Sequence, residues 1–112
     1  MIKQLIITVF IVCIAFASKA QSAQAEAIAQ KIAQKMKDSL SLTDTQKNQV
    51  YQVNLQVNDL KYAVWQQYQS KDSIGIKLQK IENKRDSLYY NILPYNKYVL
   101  YKAKKRNLVN NN

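Results

Sequence analysis

The side chains that could carry out chemistry in this chain are few and scattered. The 112 residues contain no histidine, so the commonest metal ligand and the usual general base are both missing. The one cysteine, Cys13, lies in an apolar N-terminal run, and the carboxylates of Asp38, Asp44 and Asp59 stand singly. Acid–base and metal chemistry need several such groups in one place. The sequence therefore predicts a protein that is not an enzyme, with no catalytic residues, no metal site and no cofactor.

A mixed aromatic and basic set is the better candidate for a binding function. The aromatic members are Tyr51, Tyr62 and Trp65, and the basic members that could surround them are Lys61, Lys77, Lys80, Lys84 and Arg85. Cationic groups attract a polypeptide over long distances, and apolar groups hold it without regard to its sequence. We therefore expect these eight residues to bind unfolded or partly folded client proteins. In the alternative, the aromatic side chains fill a dimer interface and the lysines form a solvated face.

A second basic group lies near the C-terminus and consists of Lys102, Lys104, Lys105 and Arg106. Such a cluster could contact anionic lipid at a membrane surface or bind nucleic acid. No motif that reads a nucleic-acid groove accompanies it, and predicted export argues further against nucleic acid. The alternative is a solvated helix end whose positive charge complements the helix dipole.

The positive charge is concentrated in the second half of the chain. The whole sequence has 17 basic and 7 acidic residues, a net charge of +10. Residues 71–112 carry ten Lys or Arg against three acids, whereas residues 21–70 carry five Lys against four acids. Any electrostatic partner is therefore expected to meet the second half.

The N-terminus has the pattern of a secretory signal peptide. Lys3 is followed by an apolar run from Leu5 to Phe16, and small residues precede Gln21. The run is about twelve residues long, too short for a span that needs roughly twenty. We expect residues 1–20 to be removed by cleavage after Ala20, which predicts a periplasmic or secreted protein without cysteine. An uncleaved membrane anchor is the alternative.

Four helices are predicted to position the candidate residues. The chain has one glycine and one proline, a composition that favours helices joined by short connections. Apolar residues recur at helical spacing in segments beginning near residues 21, 43, 73 and 95. The stripes consist of Ile28, Ile32, Met36 and Leu40, then Val50, Val53, Val57, Leu60 and Val64, then Ile74, Leu78, Ile81, Arg85, Leu88 and Ile92. This predicts an all-α, elongated helical hairpin over residues 21–109, followed by a disordered tail at 110–112.

Such helices are long for the size of the domain. About 90 residues without a disulfide or a metal can bury little apolar surface, so a small domain of this kind is marginal alone. We therefore expect a homodimer of elongated protomers.

The second helix is predicted to begin at the stretch SLTDTQ, residues 41–46. Here Thr43 and Gln46 have the spacing of a capping box, in which each side chain accepts a hydrogen bond from the other residue's backbone N–H. Leu42 precedes the cap and can pack on the first turn near Val50. A degenerate copy of the motif follows the third helix. In this copy Pro94 replaces the threonine and Lys97 replaces the glutamine.

This stretch resembles the LTxxQ motif of the small periplasmic helical proteins known as the Spy/CpxP-like family, through Leu42, Thr43 and Gln46. As in that family, the motif lies at the start of a long predicted helix that follows a predicted signal peptide. The resemblance covers roughly residues 25–106. It implies an antiparallel, cradle-shaped dimer whose basic and apolar concave side binds unfolded clients without ATP. The family's regulatory branch implies the alternative of docking on the sensor domain of a membrane histidine kinase, and a purely structural envelope role is a third reading. Its metal-sensing branch does not carry over, because the mature part lacks histidine and has Met36 as its one methionine.

Overall fold

The computed structural model describes residues 23–109, and these fold into four α-helices. The described part of α1 covers 23–40, and it is followed by α2 (Asp44–Gln67), α3 (Lys71–Ile92) and α4 (Tyr95–Val109). No strand occurs within this part of the chain. The prediction of an all-α fold with about four helices is therefore confirmed. The predicted signal peptide at 1–20 and the predicted tail at 110–112 lie outside the described residues.

The corner between α1 and α2 is closed by two successive capping structures. Ser41 has a left-handed φ of 55°, and the Leu42 N–H donates to the carbonyl of Lys37 at 3.1 Å, which is the bond that ends a helix in a Schellman motif. Two residues later, the Gln46 N–H donates to Thr43 Oγ1 at 3.1 Å and the Thr43 N–H donates to Gln46 Oε1 at 2.9 Å. The predicted capping box is confirmed, and Leu42 is buried between the two caps.

Helices α1, α2 and α3 run antiparallel to their neighbours in sequence. Between α1 and α2, Asn54 Nδ2 donates to the Ala29 carbonyl at 3.0 Å and Asn58 Nδ2 donates to the Ala25 carbonyl at 3.2 Å. Between α2 and α3, the Nζ of Lys61 lies 2.5 Å from a carboxylate oxygen of Glu82. The described chain extends over 46 × 38 × 22 Å, so it is compact rather than an elongated hairpin.

The core follows the predicted stripes in α2 and α3, and in α1 it includes the predicted Met36 and Leu40 but has Ala29 and Ala33 in place of Ile28 and Ile32. Val50, Val53, Val57 and Val64 are buried on α2, as predicted. In α1 the buried positions are Ala29, Ala33, Met36 and Leu40, whereas Ile28 is 46% exposed. Because alanine side chains are small, the backbones of α1 and α2 can approach each other closely on this face. The Asn54 and Asn58 amides therefore reach carbonyls of α1.

Candidate functional site

The eight predicted client-binding residues do not come together in the fold. Lys77, Lys80 and Lys84 come together along an open groove of about 320 Å³ between α2 and α3, which we call the α2/α3 groove. Its other lining residues are Leu60, Ala63, Val64, Gln67, Tyr68 and Ile81. The lining residues belong to α2, to its C-cap Tyr68 and to α3, and none of them belongs to α1 or α4.

The three lysines differ in how closely they contact the groove. Lys80 and Lys84 are exposed, and their ammonium groups are free to reach a partner. Lys77 is half-buried, and its Nζ lies 5.5 Å from the centre of the Tyr68 ring in a cation–π contact. Cationic groups thus border a floor of aliphatic and aromatic side chains, the combination that the sequence predicted but with a different aromatic residue.

The predicted aromatic residues do not line this groove. Successive helical residues are about 100° apart, so Tyr62 and Trp65 stand about 200° and 140° around α2 from Leu60. Both are on the surface, 46% and 59% exposed respectively. Tyr51 is half-buried and packs against the hydrophobic core. The aromatic residue of the groove is Tyr68, which was not among the predicted residues. Its position four residues after Val64, at the edge of the apolar stripe, was the sequence signal that could have identified it.

The prediction that Arg85 belongs to an exposed basic face is wrong. Arg85 is 2% exposed and lies inside the fold with Tyr89, to whose hydroxyl its Nη1 donates at 3.4 Å. Its Nε is 3.2 Å from Glu82 Oε1, an ion pair without hydrogen-bond geometry. Burial disfavours the charged guanidinium, but nearby Tyr89 and Glu82 outweigh that effect, and the pKa of Arg85 is raised. Arg85 is a structural cation rather than a client contact.

Arg85 belongs to a buried polar chain that sequence reasoning missed. Asn54 and Tyr89 are both fully buried, and the Tyr89 hydroxyl donates to Asn54 Oδ1. Burial raises the pKa of Tyr89 to about 12, so the phenol stays protonated at neutral pH. The Tyr101 ring meets the Tyr89 ring edge to face, with their centres 4.7 Å apart. The one sequence signal for these buried polar contacts was Asn54, an asparagine among the valines of the apolar stripe of α2.

The carboxylates of Glu82 and Asp86 form the centre of an ion-pair cluster between α2, α3 and α4. Lys61 and Lys105 approach Glu82 at 2.5 and 3.8 Å. Asp86 accepts from the Tyr101 hydroxyl at 2.7 Å and from Lys102 at 3.1 Å, and Lys105 lies 2.9 Å from it. Of the four C-terminal basic residues, Lys102 and Lys105 are thus ion-paired within the fold, and Arg106 is exposed.

Both carboxylates remain ionised in this cluster. Burial alone raises the pKa of Asp86, but hydrogen bonds from Lys105, Tyr101 and Lys102 outweigh burial and hold the pKa below its usual value. The pKa of Glu82 is lowered in the same way, since the Lys61 contact and the nearby Arg85 charge outweigh burial. The pKa of Lys102 is raised by its hydrogen bond with Asp86.

The cluster borders a second open groove of about 630 Å³, which we call the α4 groove. Its lining residues are Lys61, Gln79, Glu82, Lys102, Ala103, Lys105, Arg106 and Val109. Lys61 is thus separated from Lys77, Lys80 and Lys84, although Leu60, its neighbour in sequence, lines the α2/α3 groove. Lys104 lies apart from both grooves and donates to the Ser39 carbonyl at 3.3 Å.

Two further properties concern the whole described part of the chain. No three His, Cys, Asp or Glu side chains in it come close enough together to hold a metal ion. No helix in residues 23–109 combines the length and the apolar character that a membrane span requires.

Comparisons with known proteins found no matching family model, no similar curated protein and no similar solved structure. The resemblance to the Spy/CpxP-like family therefore stays a prediction based on Leu42, Thr43, Gln46 and their place in the chain.

Proposed function

We propose that this protein binds unfolded or partly folded polypeptides reversibly in the α2/α3 groove, as an ATP-independent periplasmic chaperone or envelope-stress protein of the Spy/CpxP type. The observation that carries the proposal is the position of Lys77, Lys80 and Lys84 beside a floor that includes Leu60 and Val64. This is a binding function, which needs no reacting group.

The groove suits segments that combine apolar and acidic side chains. Its apolar floor can contact exposed aliphatic residues of a client, and the exposed ammonium groups of Lys80 and Lys84 can attract its carboxylates. Neither interaction depends on the order of residues in the client, because the groove is open and offers no enclosed pocket for one particular side chain. Weak contacts of this kind also allow release without an energy source.

A second groove between α2 and α3 provides room for a longer segment. It has a volume of about 610 Å³ and is lined by Gln49, Gln52, Val53, Leu55, Gln56, Asp59 and Ile92. Glutamine amides both donate and accept hydrogen bonds, so they can pair with the unpaired backbone of an extended chain. The proposal therefore assigns capture to the basic groove and backbone contacts to this one.

The proposal includes a homodimer, for which the surface supplies candidate contacts. Trp65 is 59% exposed, and Tyr62 is also on the surface. Large exposed apolar side chains often mark places where another protein packs. Association through Tyr62 and Trp65 would leave Lys80 and Lys84 accessible, because these two aromatic residues stand on another flank of α2.

The test is a client-aggregation assay with a matched pair of variants. The protein carrying residues 21–112 is mixed in low salt with a reduced, unfolded globular protein, and light scattering is followed. We expect suppression of aggregation that weakens as salt screens the charges. Lys80→Gln with Lys84→Gln should reduce suppression several-fold, whereas Lys31→Gln with Lys71→Gln, the same change at two other exposed lysines, should not.

Absence of suppression at several-fold excess in low salt would contradict the proposal, as would equal losses in the two variants. Circular dichroism checks that both variants keep the wild-type helix content. The regulatory alternative predicts a different result, namely saturable capture of one envelope protein, a histidine-kinase sensor domain, with little effect on generic clients. A pull-down from envelope extract, run beside the aggregation assay, separates the two functions.

A further inference from the structure

We propose that the α4 groove is a binding site for a phosphate-bearing anion. Four cationic side chains from two helices line it: Lys61 from α2, and Lys102, Lys105 and Arg106 from α4. The one carboxylate in the lining is Glu82. Phosphate oxygens are acceptors that lysine and arginine bind through charge-assisted hydrogen bonds.

The three lysines converge because the two carboxylates of the ion-pair cluster hold them. Lys61 and Lys105 both lie within 3.8 Å of Glu82, and Lys102 and Lys105 both lie within 3.1 Å of Asp86. Neighbouring ammonium groups are therefore within the reach of two adjoining phosphates. Gln79 also lines the groove, and its amide nitrogen, which donates one hydrogen bond to Asn83 Oδ1 at 3.1 Å, has a second N–H to donate. The positions of the three lysine ammonium groups are thus fixed by their ion pairs with Glu82 and Asp86.

Positive charge in this place exceeds what the carboxylates neutralise. The four lining cations and the buried Arg85 face two carboxylates, Glu82 and Asp86, both of which are ionised. Arg106 makes none of the ion pairs formed within residues 23–109. Like charges held this close repel one another, and an added polyvalent anion would relieve that repulsion. Ligand binding should therefore also stabilise the fold.

This site is separate from the groove proposed for client binding. The α4 groove has one wall from α4 and includes Lys61, whereas the α2/α3 groove has no residue of α4 and includes Lys77, Lys80 and Lys84. The two sites share no lining residue. Either proposal can thus fail while the other holds.

The experiment measures binding of sodium tripolyphosphate by isothermal titration calorimetry in low salt at neutral pH. We expect saturable binding of one tripolyphosphate per chain and a rise in Tm that chloride at equal ionic strength does not produce. Lys61→Gln with Arg106→Gln should weaken binding about tenfold or more. Arg106→Gln alone, which breaks no ion pair of the described chain, should weaken it several-fold and guards against misfolding of the double variant.

Lys80→Gln with Lys84→Gln is the matched control, since it removes the same charge from the other groove. If tripolyphosphate does not bind, or if the two double variants lose affinity equally, the α4 groove is not a site and the attraction is only the diffuse charge of the protein. Unchanged binding by Arg106→Gln together with Lys61→Gln would also overturn the proposal.

A vesicle arm distinguishes a lipid headgroup from a free phosphate compound. The protein is sedimented with vesicles of phosphatidylglycerol or of phosphatidylcholine, with and without tripolyphosphate. Binding to phosphatidylglycerol that tripolyphosphate displaces, and that Arg106→Gln weakens, assigns the site to anionic lipid. Tripolyphosphate binding without vesicle binding assigns it to a soluble polyphosphate. Either result supports the proposed site.

Discussion

The Tyr89 hydroxyl donates a hydrogen bond to the Oδ1 of Asn54, and this bond joins α3 to α2 in the centre of the fold. The Asn54 amide in turn donates to the carbonyl of Ala29 at 3.0 Å, so one asparagine holds three helices in register. Both side chains are fully buried. A buried polar pair of this kind is costly to leave half-made, because the remaining partner loses water without gaining a bond.

The first prediction concerns this pair. Tyr89→Phe should lower the free energy of unfolding by about 1–3 kcal/mol, because the Asn54 oxygen is left without its donor. Asn54→Leu should lower it as well, since the amide bond to Ala29 is also lost. The double variant should lose less unfolding free energy than the two single variants lose together, and the difference, which is the coupling energy, should be about 1 kcal/mol. Urea unfolding followed by circular dichroism measures all three. Strictly additive losses would mean that the bond contributes nothing.

The second prediction tests the capping box that begins α2. Thr43→Ala removes the acceptor for the Gln46 N–H and should lower the free energy of unfolding by about 1 kcal/mol. Thr45→Ala, an exposed threonine in the same first turn, is the control and should change stability by less than about 0.5 kcal/mol. Urea unfolding of both variants gives the comparison. Equal effects would show that the loss at Thr43 is one of side-chain size rather than of capping.

The third prediction concerns the left-handed residue at the end of α1. Ser41 has a φ of 55°, a conformation that costs a residue with a Cβ about 1 kcal/mol more than glycine. Ser41→Gly should therefore raise Tm, whereas Ser39→Gly, two residues earlier inside the helix, should lower it. Calorimetry of the two variants checks the opposite signs. A loss of stability in Ser41→Gly would contradict the left-handed assignment.

The fourth prediction is a dependence of stability on acid pH. Burial opposes ionisation of Asp86, but the bonds from Lys105, Tyr101 and Lys102 outweigh it, so the folded-state pKa lies below the ordinary 3.8. The unfolded chain then takes up the proton first as pH falls. The stabilisation is complete above about pH 5 and is lost as pH falls through 3.8 towards the folded-state pKa.

Asp86→Asn should remove that part of the acid sensitivity and lower the free energy of unfolding at neutral pH. Asp59→Asn, at an exposed aspartate, is the matched control and should leave the profile close to that of the wild type. The measurement is urea unfolding at a series of pH values between about 2 and 7. Parallel profiles for wild type and Asp86→Asn would contradict the assigned role of the Asp86 contacts.

Much of the fold could be predicted from the sequence because helix formation and capping depend on residues that are close together in the sequence. The Thr43–Gln46 cap and the valine stripe of α2 each depend on neighbours within one or two turns, so spacing alone sufficed. On α1, Met36 and Leu40 were predicted correctly, but the first half of the face was misplaced because periodicity favours the larger Ile28, whereas Ala29 and Ala33 are the buried residues. Close packing depends on how near α2 comes, which no local pattern contains.

The candidate site was predicted less well than the fold because it depends on contacts between helices. Lys77, Lys80 and Lys84 share one face of α3, and sequence spacing is enough to group them. Lys61 instead lines the α4 groove, where it pairs with Glu82 of α3. Residue spacing within α2 does not reveal this contact between two helices. Charge alone also cannot tell a solvated cation from a buried one, and Arg85 was misassigned for that reason.

The last prediction separates structural cations from functional ones. Arg85→Met keeps a long flexible side chain but removes the buried charge and leaves Glu82 with Lys61 and Lys105 as its cations. Breaking a buried pair on one side is costly, so the free energy of unfolding should fall by about 2–4 kcal/mol. At temperatures where the variant is still folded, its suppression of client aggregation should match the wild type. Lys80→Gln should show the opposite pattern, with unchanged urea unfolding and weaker suppression, because that side chain is exposed on the α2/α3 groove. If folded Arg85→Met lost suppression as strongly as Lys80→Gln, Arg85 would have to reach clients, and its assignment to the buried polar chain would be wrong.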